Sequence, residues 1–415
     1  MTSRSHHRRQ SRRSLSRGHA IGSILFSLAI ATQANAQAGG LSLPENGGPI
    51  NGTAQAGSAA ISRNAETAWL NPAGMTRLKS AEILVTVMPF YLDYGFSPSS
   101  LTTVPGSDGG NQGGWLPAGA LFVVVPVHER VAVGFSVTSP VGLVLDPADN
   151  WAGRFWTTRS ALLTLNVEPS VGVRLSDHWS IGGGIDFQYV RFEQDLIGPI
   201  TGSRFGIDGD DWSVGGSASV LWEPLETTRF GLRYRSEISH DLSGDLTARG
   251  AMPVSTSLTI PMSLTLSGYH EFTEQFALMA DFGWQDWSAF DRNLITIDGT
   301  GSQVELLRNF KDTWTVGLGA HIKTAENWLV TFGGSYVSSA VDDRNRTPDL
   351  PVDQQVRVSV GVEYAINQQW NVGANYTFMW LGDNEIDQTR AFTGRIAGDY
   401  DAFAHIFGLY ASLKF

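Results

Sequence analysis

The chain has 415 residues, with 29 Lys and Arg against 40 Asp and Glu, and no cysteine. A net charge of −11 argues against a nucleic-acid partner, which needs clustered positive charge. Without cysteine, a disulfide framework and a thiolate metal site are both excluded.

The basic residues are unevenly spread. Arg4, Arg8, Arg9, Arg12, Arg13 and Arg17 precede residue 36, and no acid accompanies them. The remainder holds 23 basic against 40 acidic residues, near −17. A short apolar run over 20–31 follows the arginines, and then Ala34-Asn35-Ala36. That order predicts a secretory signal peptide over 1–36, cleaved after Ala36. The apolar run is too short to span a bilayer as a helix. After residue 36 no run of 18 apolar residues occurs. A mature chain that spans a membrane must therefore do so as a closed β-barrel, the other structure that satisfies its backbone in lipid.

Residues 37–80 come before the first strand. The stretch 54–78 is rich in small residues and carries Asn71-Pro72-Ala73. Small residues and an Asn-Pro turn predict a plug, or hatch, inside a narrow lumen. A flexible periplasmic tail is the alternative.

From residue 81 to 415 the pattern has period two, the mark of strands with one apolar and one polar face. Val356, Val358, Val360, Val362 and Tyr364 alternate with Arg357, Ser359, Gly361 and Glu363. Residues 314–322, 370–378 and 403–415 alternate in the same way. The apolar face carries no Lys or Arg in these strands, as expected where one costs roughly 2–4 kcal/mol at mid-bilayer. Trp179, Trp314, Trp328, Trp370 and Phe415 sit at strand ends, where interfacial aromatics belong.

Fourteen strands are predicted, near 81–91, 116–126, 130–140, 161–174, 178–192, 211–223, 228–242, 255–270, 275–288, 305–323, 328–339, 355–365, 369–381 and 402–415. An even number suits a closed antiparallel barrel. Short connections near 126–129, 175–177, 223–226, 270–273, 323–326 and 365–368 alternate with longer ones such as 92–115, 141–160, 193–210, 340–354 and 382–401. The short set reads as periplasmic turns, which puts both termini in the periplasm. The fold expected is all-β: a 14-stranded antiparallel transmembrane β-barrel, plugged by a small N-terminal hatch.

Gly57-Ser58-Ala59-Ala60-Ile61 leading to Asn71-Pro72-Ala73, then Trp115-Leu116-Pro117, the block Gly231 to Glu237, and Phe310-Lys311-Asp312 follow one another along the chain. In this order they resemble the FadL/TodX-type outer-membrane transporters of long-chain fatty acids and aromatic hydrocarbons. The resemblance covers nearly all of the mature chain. It implies passive uptake: capture at the outer surface, a binding pocket above the hatch, and sideways exit through a gap at an inward kink of the third strand. The partners it implies are a hydrophobic small molecule and outer-membrane lipid, with the protein a monomer. The alternating last strand ending in Phe415 resembles the signal read by the barrel-insertion machinery.

In the third strand Pro140 has no N–H to give to a ladder, and glycines loosen it. Gly134, Ser139, Pro140 and Gly142 are therefore the candidate lateral gate, unless Pro140 only ends the strand at the rim. A ligand carboxylate in a dry pocket needs a cation. Lys311, Arg233 and Arg235 fall on lumen parity, where they bind ligand or pair with acids such as Glu237 and Glu363. Where the family carries a carboxylate-binding arginine on the fifth strand, this chain places Leu196, with Arg191 nearby. That departure leaves room for a neutral or aromatic substrate. Phe90, Tyr91, Tyr94 and Phe96 form either a capture groove in the first outer loop or part of a lipid-facing belt.

No catalytic elbow or metal helix of recognised spacing occurs, and the histidines are scattered singly. Asp208, Asp210 and Asp211 read as a solvated acidic loop rather than a calcium site. No cofactor and no catalytic residue are expected. A general diffusion porin and an outer-membrane hydrolase stand as alternatives from other classes.

Overall fold

The computed structural model describes residues 41–415 other than 201, 248–249, 291 and 299–300. The expected signal peptide and the first four residues of the expected hatch lie outside the described residues.

The alternating segments form one closed antiparallel sheet of fourteen staves. They are β1 (Glu82–Pro98), β2 (Gly114–His128), β3 (Val131–Thr138, then Gly142–Leu145), β4 (Arg159–Arg174), β5 (Trp179–Ile197), β6 (Arg204–Leu225) and β7 (Thr228–Arg235, then Ile238–Thr247). After them come β8 (Ala251–Ile260, then Ser263–Thr273), β9 (Phe276–Gln285, then Arg292–Ile297), β10 (Ser302–Leu307, then Thr313–Ala325), β11 (Trp328–Val337), β12 (Gln355–Ala365), β13 (Trp370–Arg390) and β14 (Gly394–Lys414). The barrel closes where β1 pairs with β14, from Glu82↔Lys414 to Pro98↔Gly398.

The face assignment follows the alternation. Val358, Val360 and Val362 of β12 are exposed on the outside, while Arg357 and Ser359 at the alternate positions are buried in the lumen. The end-of-strand aromatics are all exposed, and Trp179 stacks on Trp222 at 5.6 Å. Five of the six short turns overlap their expected positions; the sixth falls at residues 274–275, just past the expected 270–273, because β8 runs on to Thr273.

Several expected outer loops are shorter than the sequence pattern suggests. The expected loop 193–210 is mostly the upper part of the β5–β6 hairpin, paired from Glu193↔Asp208 to Ile197↔Arg204. The expected loop 382–401 is likewise the top of the β13–β14 hairpin, paired out to Arg390↔Gly394. Beyond the lipid the outward face turns polar, as at the exposed Asp383, Glu385 and Asp387, so the apolar outward half of the alternation stops while the hydrogen-bond ladder continues. For the same reason β1 runs on to Pro98. Phe90, Tyr91, Tyr94 and Phe96 are therefore strand residues and not part of a loop. Tyr94 and Phe96 pack inward on Tyr400, whereas Tyr91 sits against Trp115.

Residues 41–78 run inside the barrel as short helical turns: Pro49–Thr53, Thr67–Leu70 and Pro72–Arg77. Asn71 caps the last of these, its Oδ1 accepting from the Ala73 N–H at 3.1 Å, and Pro72 opens it without needing a donor. Ala56, Ala60, Ala65, Ala68 and Met75 are fully buried against Leu84, Phe122 and Val124 of the wall. The wall answers with glycine. A Cβ at Gly231 would overlap the Ala59 carbonyl, one at Gly172 the Pro72 carbonyl, and one at Gly333 the Thr53 carbonyl. Here the backbone of the segment lies directly on the backbone of the sheet. Asp281 accepts from the Gly57 N–H at 2.6 Å and the Ser58 hydroxyl at 2.7 Å, and Ser267 Oγ accepts from the Ala59 N–H at 2.9 Å.

Candidate functional site: two cavities and a break in the wall

The ladder between β2 and β3 runs from Val131 to Val137 and stops. Past Thr138 the third stave bends at Ser139–Val141, and its second segment pairs with β4 alone, Gly142↔Leu163 to Leu145↔Ser160. Opposite it, Gly114–Ala120 of β2 pair only with β1. The sheet therefore has no β2–β3 ladder at this height. Pro140 sits at the bend and contributes no donor. Thr164 holds the bend from the β4 side, its hydroxyl accepting from the Val141 N–H at 3.1 Å and donating to the Val141 carbonyl at 2.6 Å. The other edge is covered from inside by residues 41–43: the Leu43 N–H donates to the Pro140 carbonyl at 2.9 Å and the Gly142 N–H to the Leu41 carbonyl at 3.3 Å.

A cavity of about 410 Å³ lies at this break. Its lining is apolar, chiefly Leu43, Leu92, Leu116, Leu143, Met379 and Leu381. Arg159, Asp353 and Tyr94 are among its few polar groups. A second cavity, of about 180 Å³, lies deeper in the lumen against Trp69, Trp284, Arg233, Arg235 and Asp281. The two share Ser42 and Gln355 as a partition.

The expected ligand cations separate into four situations. Arg235 lies against the deep cavity but is spoken for. Its guanidinium donates to Glu168 and Asp186, each at 2.6 Å, and stacks 3.3 Å from the Trp69 ring. Arg233 lines the same cavity and reaches only the Trp69 and Leu70 carbonyls, at 3.4 Å, with no carboxylate ion pair among the described residues. Arg191 is not in the lumen. It shares the outward parity of Trp179, Ile181 and Phe187, is half-exposed, and pairs with Glu193 at 2.8 Å. Lys311 does not hold a strand parity at all. It falls in the interruption between the two segments of β10, where its Nζ meets Asp342 at 2.5 Å, and it borders neither cavity. Leu196 sits near the top of β5, opposite Phe205.

Of the expected gate residues, Ser139, Pro140 and Gly142 border the break. Gly134 does not: it is paired on both sides, to Val124 and Ser170, and faces Met75 and Ala68. The acids expected to neutralise lumen cations also differ. Glu363 pairs with Arg63 at 2.9 Å, and Glu237 is exposed between the two segments of β7. Glu168 and Asp186, the true partners of Arg235, stand on the β4–β5 hairpin, 67 and 49 residues away from it in sequence. Asp353 belongs to the connection before β12, and burial holds its carboxyl up at about 7.

Comparison with known proteins settles the family. A family profile described as "Outer membrane protein transport protein (OMPP1/FadL/TodX)" matches residues 27–415. The chain belongs to the OMPP1/FadL/TodX family. It is an outer-membrane transport protein with a closed 14-stranded barrel. A long-chain fatty acid transport protein of Salmonella typhi is 26% identical over 370 residues, covering 79% of this chain and 84% of the relative. The 47 kDa outer membrane protein of Pasteurella multocida is 25% identical over 403 residues, covering 88% and 91%. Among solved structures, a FadL homologue from Pseudomonas aeruginosa superposes with a TM-score of 0.84 at 21% identity, covering 91% of this chain and all of that one, 100%. The toluene transporter TodX of P. putida superposes at 0.67 with 14% identity, covering 92% and 99%; both likenesses concern the fold.

Proposed function

We propose that this OMPP1/FadL/TodX protein takes up hydrophobic compounds, long-chain fatty acids foremost, and releases them sideways into the membrane at the third stave. The observation that carries the route is the break itself. A barrel in lipid must satisfy its backbone, and this one forgoes a β2–β3 ladder where an apolar cavity meets the wall. In this account ligand enters from the outer side, rests in the deep cavity beside Trp69 and Arg233, and passes the Ser42–Gln355 partition to the lateral cavity. Residues 37–80 act as the hatch that closes the lumen toward the periplasm. The chain acts as a monomer, with Phe415 presented to the insertion machinery. The fatty-acid relative at 26% identity and the single unpaired Arg233 among the four expected cations support an acid as substrate. The largely apolar lateral cavity supports an aromatic hydrocarbon as the second reading.

The test is uptake of labelled oleate and of toluene by cells with and without the protein, alongside Leu143→Trp, which fills the lateral cavity. Uptake that depends on the protein and falls at least tenfold in Leu143→Trp is expected. Unchanged uptake in that variant would rule out the lateral route. Faster entry of small sugars, with neither hydrophobic ligand dependent on the protein, would point to an open porin.

A further inference from the structure

The two cavities differ in charge, not only in size. In the deep one, Arg233 has carbonyl partners and no carboxylate ion pair among the described residues, because the acids lining that cavity are engaged elsewhere, Asp186 by Arg235 and Asp281 by the Gly57 and Ser58 donors. In the lateral one, each nearby guanidinium already faces two acids. Arg159 lies 3.0 Å from Glu193 and 3.6 Å from Asp146. Arg346, fully buried behind the lining, lies 2.8 Å from Asp343 and 3.1 Å from Asp353, and also donates to the Val352 and Glu385 carbonyls. Of these acids Asp353 itself borders the cavity, close to Gly382 of β13. Asp383 next to it adds a further negative charge. An anion moved from the deep cavity to the lateral one would exchange an available cation for a surplus of carboxylate. In a largely apolar enclosure of low dielectric that exchange is strongly unfavourable.

We propose that the lateral cavity is a site for uncharged hydrophobic molecules, and that Asp353 is the residue that turns anions away from it. The proposal rests on the lateral route proposed above. A hydrocarbon or a long-chain alcohol passes as it is. A fatty acid passes only after its carboxylate oxygen takes one proton from a hydronium ion of the aqueous lumen, leaving a water molecule behind, so the species delivered to the membrane is the neutral acid. An anionic head group that cannot take up a proton stays in the deep cavity beside Arg233. The wall is thus a filter on charge as well as on polarity.

The experiment uses purified protein in detergent at pH 8, with two photoreactive C16 probes: hexadecanol and hexadecanesulfonate, each with a mid-chain diazirine. Crosslinks are mapped by mass spectrometry to the lateral lining (Leu116, Leu143, Leu381) and the deep lining (Ile260, Leu264, Trp284). The alcohol is expected to label both linings. The sulfonate is expected to label the deep one alone, with lateral labelling at least tenfold below the alcohol's. Asp353→Asn should raise the sulfonate-to-alcohol ratio at the lateral lining at least fivefold, and Asp353→Glu should leave the exclusion in place. Equal lateral labelling by both probes in the unaltered protein overturns the proposal, whatever the variants do. An unchanged ratio in a folded Asp353→Asn protein overturns the role of that residue. If the alcohol too stays out of the lateral lining, the lateral route is wrong and the filter falls with it.

Discussion

The wall of this barrel treats its contents in two opposite ways. Around the turns from Thr53 to Arg77 it is dense, with glycines set against carbonyls and side-chain acceptors set against amides. Around the bend of β3 it is loose, with an interrupted ladder, apolar side chains and about 410 Å³ of open volume. Backbone-to-backbone packing has no soft atoms to yield, whereas a patch of leucines around open space can rearrange at little cost. On the function proposed above, the dense region is the hatch that stays shut and the loose one is the lateral way out.

The comparison can be broken most forcefully at Gly231. A valine there would drive its side chain into the Ala59 carbonyl, so Gly231→Val should cost about 1–3 kcal/mol or more. The midpoint of heat-modifiable mobility on gels measures it, and an unmoved midpoint would mean the segment does not rest on β7. Asp281→Ala strands the Gly57 and Ser58 donors and should cost about 1–3 kcal/mol, read as the urea midpoint in detergent. A loss confined to the ligand-binding signal, with the midpoint intact, would contradict it.

A pH series sharpens the picture at Glu66. Its Oε2 accepts from the Ile50 N–H at 3.1 Å, and burial raises its carboxyl from 4.5 to about 8. The folded state therefore holds a proton that the unfolded chain gives up. The stability linked to Glu66 is full below about 4.5 and is lost as pH rises through about 8. Glu66→Gln should flatten the decline of the melting temperature across that window; parallel curves for the two proteins would sink the assignment. The smallest effect is expected at the loose end. Pro140→Ala should change stability by at most roughly 1 kcal/mol, because the site has little packing to lose. Its effect belongs in uptake, as a fall of a few-fold. A large loss of stability there would mean that the bend is a structural keystone.

Much of the barrel was legible because lipid imposes a strict period of two on every outward face. Where lipid ends, legibility ends with it. The upper parts of β5–β6 and β13–β14 are strands without an apolar outward face, and they read as loops. The site was legible in parts. Pro140 declares itself by its missing donor, and Arg233 and Arg235 by a parity that β7 keeps through its length at that point. Lys311 was misplaced because an interruption at 308–312 resets the parity of β10, which no local pattern records. Arg159 and Asp353 carry no local signal either. They meet at the lateral cavity only because the connection before β12 folds back toward β1, where the Tyr94 hydroxyl donates to the Pro351 carbonyl.

The pairing of β1 with β14 also sets an order of events. These are the first and last staves, so their ladder joins the two ends of the sheet and cannot form before the last stave exists. Contacts between such distant parts of a chain are the slow ones to make. The β1–β14 ladder is thus the seam whose closure encloses residues 41–78 within the wall.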